Sequence, residues 1–241
     1  MSSLIASPRL ADHVRACQFG DQMIFLDLRR SKYFGMAGPQ LPALACAILE
    51  GQAPVDADVT PRPLVPAGLI DRLRNQHLLS DRPAEPPARR PPRFIEPVAS
   101  LDPDGEGCDG RQDWRHLARL WHSTYVTTAW LRRRNLAEIA EQVASLRTRH
   151  PDRAVDIGGA ATRAAAATYI RLRPFALTSH DRCLNDSLAL VHFLGGQGLF
   201  AQWVIGVRVH PFGAHAWAQA GDIVLNDYAE RARRFQPILV V

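Results

Sequence analysis

Three short runs rich in apolar residues lie near the start of the chain, and turn-forming residues separate them. Such strand-turn-strand patterns predict an antiparallel meander. The predicted strands are residues 14–19, 23–28 and 32–36. Helical patterns follow at 40–50 and 66–76, the second with Leu69, Ile70 and Leu73 on one face. We therefore expect a small β-β-β-α module, extended by a second helix, whose third strand lies at the edge of the sheet.

The second half of the chain shows longer helical periods and then strand patterns. Asn135 is a good N-cap and Glu138 lies three residues after it, which is the capping-box arrangement at a helix start. Another helical pattern begins at Cys183 and stops at Gly195. The predicted helices are residues 113–131, 135–146, 161–172 and 183–194, and the predicted strands are 200–209, 214–220 and 223–227. The fold class is therefore predicted to be α+β.

Prolines concentrate between the two halves, with seven of them in residues 82–111. Proline lacks an amide donor and restricts the residue before it, so neither helix nor sheet is expected to continue through this segment. The sequence predicts a semi-rigid linker at 83–111. It would join an N-terminal module at 1–82 to a second domain at 112–241.

The composition is that of an ordinary globular protein, with 46% hydrophobic and 22% charged residues among 241. No stretch approaches the roughly 18 apolar residues that a membrane span needs, and the N-terminus lacks a signal-peptide pattern. We therefore expect a cytoplasmic location and no membrane partner. The net charge of +5 favours acidic partners. Without an aromatic-interleaved basic stripe, it does not indicate nucleic-acid binding.

The four cysteines, Cys17, Cys46, Cys108 and Cys183, include no close pair. This spacing excludes a C-x-x-C zinc or redox motif and argues against a disulfide framework. Cys17 and Cys46 lie in apolar runs, where a free cysteine acts as a small hydrophobe. Cys108 lies in a loop rich in glycine and aspartate. Of the four, Cys183 is the candidate nucleophile, because it lies at a predicted helix start.

Cys183 is followed by His215 and Asp227, in an order that suits a nucleophile, its base and the group that orients the base. At a helix start, the helix dipole and free amides stabilise a thiolate and can bind an oxyanion. Two other interpretations stay open. Cys183 could be a buried structural residue, or the three side chains could bind zinc, although they lack the short-spaced ligand pair usual in zinc sites.

The last predicted hairpin provides a test of this constellation. A two-residue turn at 221–222 would pair residue 220 with 223, and Asp227 would then point to the opposite face from His215. A three-residue loop at 220–222 would set Asp227 directly opposite His215. If the three groups act together, we expect the three-residue loop or an equivalent bulge.

The segments around these positions resemble those of a known family. Three runs carry the resemblance: Cys183-Leu-Asn-Asp-Ser-Leu-Ala-Leu, Trp203-Val-Ile-Gly-Val-Arg and Pro211-Phe-Gly-Ala-His-Ala-Trp. They are similar to the lasso-peptide B proteins, which are leader peptidases of the transglutaminase-like superfamily. The resemblance covers most of residues 112–241. It implies a catalytic triad of Cys183, His215 and Asp227, with no metal and no cofactor.

The N-terminal run Phe25-Leu-Asp-Leu-Arg-Arg-Ser-Lys-Tyr-Phe is similar to PqqD-like precursor-recognition elements, which have a small winged-helix-like fold. The resemblance implies that a leader peptide adds as a strand beside residues 31–36, against the helix at about 66–78. It does not identify individual leader-binding residues. At Ala218-Gln219 the chain departs from its relatives, which often carry a bulkier residue and an acid there. We expect this difference to affect substrate fit.

The resemblance implies a cysteine peptidase that cleaves leader from core in a lasso precursor peptide. Its partners would be that precursor and a separate ATP-dependent, asparagine-synthetase-like cyclase that closes the ring. Two alternatives stay open. The same three residues could serve an acyltransferase or transglutaminase, in which an amine replaces water, or the chain could be a non-enzymatic protein that delivers the precursor.

Overall fold

The computed structural model describes residues 9–49, 65–80, 92–105, 114–148, 159–176 and 183–241. The chain divides into two compact units, residues 1–90 and 91–241, and each has its own sheet. Cys108 and the predicted linker segments 83–91 and 106–111 lie outside the described residues.

The first unit contains the predicted three-stranded meander. Its strands are β1 (Arg9–Leu10), β2 (Val14–Phe19), β3 (Gln22–Asp27), β4 (Lys32–Ala37) and β5 (Leu79–Ser80), and its helices are α1 (Leu41–Leu49) and α2 (Ala67–Asn75). β2, β3 and β4 pair antiparallel in chain order, and β1 pairs with β5. Gly20, with φ of +57°, makes the tight turn between β2 and β3. As predicted, β4 is an edge strand of its three-stranded sheet.

The core of the first unit joins the meander to its helices. Phe25 of β3, Leu44 of α1 and Leu73 of α2 are fully buried in one cluster. Burial of each such side chain stabilises the fold by about 1.5–3 kcal/mol. Both helices begin and end within one residue of the predicted ranges.

The second unit is a five-stranded sheet with a layer of helices. Its strands are β6 (Ala99–Ser100), β7 (Gln202–Val209), β8 (Phe212–Ala220), β9 (Ile223–Val224) and β10 (Gln236–Val240), and its helices are α3 (Trp114–Arg133), α4 (Leu136–Thr148), α5 (Ala160–Leu172), α6 (Cys183–Gly195) and α7 (Ala229–Ala232). The strand order is β10-β7-β8-β9-β6. All neighbours are antiparallel except β9 and β6, which run parallel.

Helix α6 lies at the centre of the second unit. It packs against β7 and β8 on one side and against α3, α4 and α5 on others. The indole of Trp203 in β7 donates a hydrogen bond of 3.1 Å to the hydroxyl of Ser187 in α6. The predicted capping box of α4 is confirmed, since the Glu138 amide donates to Asn135 Oδ1 at 3.0 Å. None of the described helices is long and apolar enough to cross a membrane.

Residues 92–105 belong to the second unit, so the predicted linker at 83–111 is wrong over this segment. β6 pairs with β9, the Val98 amide donates to the Asp222 carbonyl at 2.8 Å, and Phe94 packs on the core. Prolines restrict the backbone, but residues 98–102 contain none, and their amides are free to pair. The sequence also gave no prediction for β10, which pairs with β7.

The predicted three-residue loop between β8 and β9 does not form. Residue 220 pairs with 223 and 219 pairs with 224, which leaves a two-residue turn. Gly221 occupies the first turn position with φ of +63°, as a type II′ hairpin requires. The strand predicted over 223–227 ends at Val224, and the chain bends through 225–227.

Candidate active site

The three residues singled out in the sequence meet in the second unit. Cys183 is the first residue of α6, His215 lies in β8, and Asp227 lies in the bend after β9. The imidazole Nε2 is 2.6 Å from the Asp227 Oδ2, and the Cys183 side chain hydrogen-bonds to the imidazole. The imidazole is 3% exposed, so its two polar contacts are shielded from bulk water.

The contact with Asp227 fixes which nitrogen of His215 can act as a base. An ionised carboxylate can only accept hydrogen bonds, so Nε2 carries a proton and donates it to Oδ2. In the neutral imidazole, this leaves the Nδ1 lone pair free for the thiol of Cys183. The arrangement therefore supports proton transfer from sulfur to Nδ1.

The pKa values of the three groups move in the directions that favour a thiolate–imidazolium pair. Burial raises the pKa of Cys183, but hydrogen bonds from His215 and the Ala216 backbone bring it below its ordinary value. Burial lowers the pKa of His215, but its hydrogen bonds to Asp227 and Cys183 raise it above the ordinary value. Burial raises the pKa of Asp227, but hydrogen bonds from His215 and the Tyr228 amide lower it below the ordinary value.

The bend after β9 brings Asp227 to His215 despite the two-residue turn. The Leu225 amide donates to the Ala218 carbonyl at 2.9 Å, and the Asn226 side chain then replaces the next strand partner. Its Oδ1 accepts the Ala218 amide at 2.8 Å. Regular side-chain alternation is thereby lost after Val224. The register of the hairpin therefore does not determine the direction of the Asp227 side chain.

A polar network ties the first turn of α6 to this bend. Asp186 Oδ2 accepts hydrogen bonds from Asn226 Nδ2 at 2.8 Å and from Arg173 Nη1 at 3.0 Å. Its Oδ1 accepts the hydroxyl of Tyr169 at 3.0 Å. Because Asn226 also holds the Ala218 amide, one network links the elements that carry Cys183, His215 and Asp227.

Sequence reasoning missed this network, although two of its members are close in sequence to the predicted site. Asp186 lies three residues after Cys183, which places both on the same side of α6. Asn226 directly precedes Asp227. Those spacings were a usable signal, whereas the contacts of Arg173 and Tyr169 with Asp186 span 13 and 17 residues and depend on the fold.

We expect Asn226→Ala to lower the free energy of unfolding by about 1–3 kcal/mol, because it leaves the Ala218 amide without a partner and removes one of the hydrogen bonds to Asp186. It should also raise the pKa of Cys183, since the bend that carries Asp227 is no longer held. Denaturant unfolding and the pH dependence of Cys183 alkylation measure the two effects. Asn135→Ala, which removes the cap of α4, should destabilise without moving the Cys183 profile. Equal alkylation profiles for both variants would contradict a positioning role.

Two aromatic rings and a glycine hold the imidazole of His215 in place. The rings of Phe235 and Trp217 lie with centroids 5.1 and 5.9 Å from the imidazole. Gly206 is the strand partner of His215, and a Cβ there would lie 2.8 Å from the Phe235 Cβ and 2.9 Å from the Trp217 ring. Any larger residue at position 206 would displace both rings.

Gln219 supports the structure of the sheet, and the expected effect of Ala218-Gln219 on substrate fit stays a prediction. It is fully buried, and its Oε1 accepts the indole of Trp217 at 2.9 Å. Its Nε2 donates to the carbonyls of Ile95 and Gly221 at 2.6 and 2.8 Å. All its side-chain polar atoms are therefore paired within the protein, and the side chain holds residues 92–105 on the sheet.

Cys183 differs from the other described cysteines in its surroundings. Cys17 is buried, and desolvation raises the pKa of its thiol to about 12. Cys46 is exposed on α1. Among the residues that the structure describes, no group of His, Cys, Asp and Glu is arranged to hold a metal ion. His215 hydrogen-bonds to both Cys183 and Asp227.

We expect iodoacetamide at pH 6 to modify Cys183 at least about tenfold faster than Cys17 or Cys46, because the thiolate is the reactive form and only Cys183 has an imidazole partner. Peptide mapping by mass spectrometry measures each rate. His215→Ala should remove the advantage by raising the pKa of Cys183. Similar rates at all three cysteines in the unmodified protein would contradict an activated thiol.

Residues 121–240 match a family model described as the transglutaminase-like superfamily. The matched range contains Cys183, His215 and Asp227, and it spans α3 to β10. The second unit holds a transglutaminase-like domain.

The chain is also 44% identical over 45 residues to the microcin J25-processing protein McjB of Escherichia coli. This match covers 19% of the chain and 22% of McjB, so the chain is aligned with less than a quarter of that relative. The comparison with solved structures found no match.

Proposed function

We propose that this protein is a cysteine peptidase that cleaves the leader from the core of a lasso precursor peptide. The observation that carries the proposal is the hydrogen-bonded chain from Cys183 through His215 to Asp227, with the imidazole buried. The local similarity to McjB, a microcin-processing protein, supports a peptide substrate of this kind.

In the proposed reaction, the Cys183 thiolate attacks the scissile carbonyl while the protonated His215 waits to protonate the leaving amine. Asp227 holds the imidazole orientation and stabilises its positive charge. The first turn of α6 has backbone N–H groups without partners inside the helix, and such groups can stabilise the oxyanion. Water then attacks the thioester with His215 as base, and the leader leaves as a carboxylic acid.

We assign the first unit to leader recognition, as a PqqD-like element. Among the residues that the structure describes, β4 lies at the edge of its sheet, and an extended peptide can add to such an edge by backbone hydrogen bonds. Docking there would raise the effective concentration of the scissile bond at Cys183. The core released by cleavage has a free amine, which is the group that an asparagine-synthetase-like cyclase would join to a side-chain carboxylate.

The test uses purified protein and a lasso precursor encoded beside it, with products identified by mass spectrometry. Release of leader acid and free core supports hydrolysis. In the presence of a primary amine, an amide adduct of the leader instead of the acid would show an acyltransferase. Failure of the Cys183→Ala protein to bind leader peptide in a titration would reject the recognition assignment while leaving the peptidase assignment open to its own test.

A further inference from the structure

A positively charged cleft opens beside the candidate active site. Its volume is about 400 Å³, and it is lined by Arg208, Tyr228, Glu230, Arg231, Arg234 and Phe235. Three of the six lining residues are arginines and one is an acid. The mechanism described above uses none of the three arginines as a reacting group.

The cleft is continuous with the catalytic groups through two of its residues. The Phe235 ring contacts the His215 imidazole on one side and the Arg208 guanidinium on another, with Arg208 Cζ 5.2 Å from the ring centroid. Arg231 Nη1 lies 3.7 Å from Asp227 Oδ2. The cleft therefore adjoins the pair formed by His215 and Asp227.

Two of the arginines have no carboxylate partner among the residues that the structure describes. Arg231 lies near Asp227 and Glu230 lies near Arg233, but no such ion pair involves Arg208 or Arg234. The Nε of Arg208 is buried and makes no hydrogen bond in the described part of the chain. A buried guanidinium N–H without an acceptor is costly. A carboxylate bound in the cleft would pair with the charge of the same guanidinium.

We propose that this cleft is a specificity subsite that binds an acidic side chain of the peptide substrate, close to the scissile bond. Arg208 and Arg234 would bind the carboxylate, and the rings of Phe235 and Tyr228 would pack on the aliphatic part of the same side chain. The net positive charge of the chain agrees with an acidic substrate segment. This proposal rests on the proposed function, because it assumes a peptide carbonyl at Cys183.

The test uses epoxysuccinyl peptides, which alkylate a nucleophilic cysteine and can carry a peptide arm on either side of it. Matched reagents would carry one Glu or one Gln at each of the three positions on either side of the epoxide. We expect the Glu reagent to react with Cys183 about fivefold or more faster at one position. Arg234→Gln and Arg208→Gln should each reduce that preference towards equality. Arg132→Gln removes the same charge from an exposed residue of α3 that does not line the cleft, and should keep the preference.

The iodoacetamide rate of each variant separates this proposal from the proposed function. Arg234 is exposed, so Arg234→Gln should leave the iodoacetamide rate unchanged. Arg208→Gln removes a guanidinium that packs on Phe235 and could change that rate. Equal rates for Glu and Gln at all six positions, or a preference that survives both cleft substitutions, would overturn the subsite. If Cys183 reacted with iodoacetamide but with none of the epoxides, the subsite would also be overturned. Absence of any Cys183 reaction, with iodoacetamide included, would reject the nucleophile and the subsite with it.

Discussion

Cys183→Ala should abolish precursor cleavage, with a loss on the order of 10⁴-fold or more, and should retain leader binding. The thiol is the group that bonds to the scissile carbonyl, so no other residue of the chain replaces it once it is gone. The substituted side chain sits at the helix start, where alanine keeps the backbone and most of the packing. The measurement is single-turnover cleavage with peptide titration in parallel.

Cys46→Ala is the matched control for this experiment. It makes the same chemical change on an exposed position of α1, in the other unit, and should leave both cleavage and binding unchanged. Cleavage by Cys183→Ala at near the normal rate would mean that the chain delivers the precursor and that another protein cuts it. Loss of binding together with cleavage, in a variant whose thermal unfolding is unchanged, would reject the assignment of the first unit to leader recognition.

The positions of Cys183 and His215 in the fold were easier to predict from the sequence than the backbone that brings Asp227 to them. The helix start at Cys183 could be read from apolar spacing, and the strand around His215 from alternation, because both patterns are local. The structure places these two residues as expected at the start of α6 and within β8. Asp227 follows from the order of the three residues along the chain and from the family resemblance. The hairpin loop predicted to bring it opposite His215 is wrong.

The error at the hairpin has a specific physical cause. Register arguments assume that a strand continues, but β9 ends after two pairs. An asparagine side chain then takes the place of a backbone partner, and Asn226 redirects the chain in a way that no alternation pattern encodes. Side-chain-to-backbone bonds of this kind compete with strand pairing and are typical of asparagine.

In the segment 92–105, the amino-acid composition led to a wrong prediction. Its prolines indicate a linker, yet polar groups of this segment form hydrogen bonds with residues far away in sequence. Gln202 Nε2 donates to the Arg93 carbonyl at 3.0 Å, and the Ala229 amide donates to the Ser100 hydroxyl at 2.7 Å. These partners lie more than 100 residues further along the chain, so only the folded structure brings them together.

Asp227→Asn should reduce cleavage on the order of 10⁴-fold, although it changes one oxygen to nitrogen. The Tyr228 amide donates to Oδ1 at 2.8 Å, so the oxygen of the new amide would stay at that position. Its NH₂ group would then take the place of Oδ2 and face His215 Nε2, at the position that is 2.6 Å away in the native pair. Two donors cannot face each other, so the imidazole would carry its proton on Nδ1 and present it to Cys183. The base would be lost.

The pH dependence distinguishes this tautomer effect from simple destabilisation. The carboxylate helps to raise the pKa of His215 and, through it, to lower the pKa of Cys183. Without that charge the imidazolium should lose its proton at lower pH, and the thiol should ionise only at higher pH. The pH window for the ion pair therefore narrows from both sides, and alkylation of Cys183 at pH 6 should fall.

Asp222→Asn is the control for the loss of one carboxylate from the same hairpin. Asp222 is exposed in the turn and uses its backbone carbonyl to hold Val98, so the substitution keeps the fold and should leave the alkylation profile in place. A normal Cys183 profile in Asp227→Asn, with reduced cleavage, would mean that Asp227 acts on substrate binding and not on the imidazole. A shifted profile with normal unfolding would mean that Asp227 Oδ2 determines which nitrogen of His215 carries the proton, while the Tyr228 amide holds the carboxylate through Oδ1.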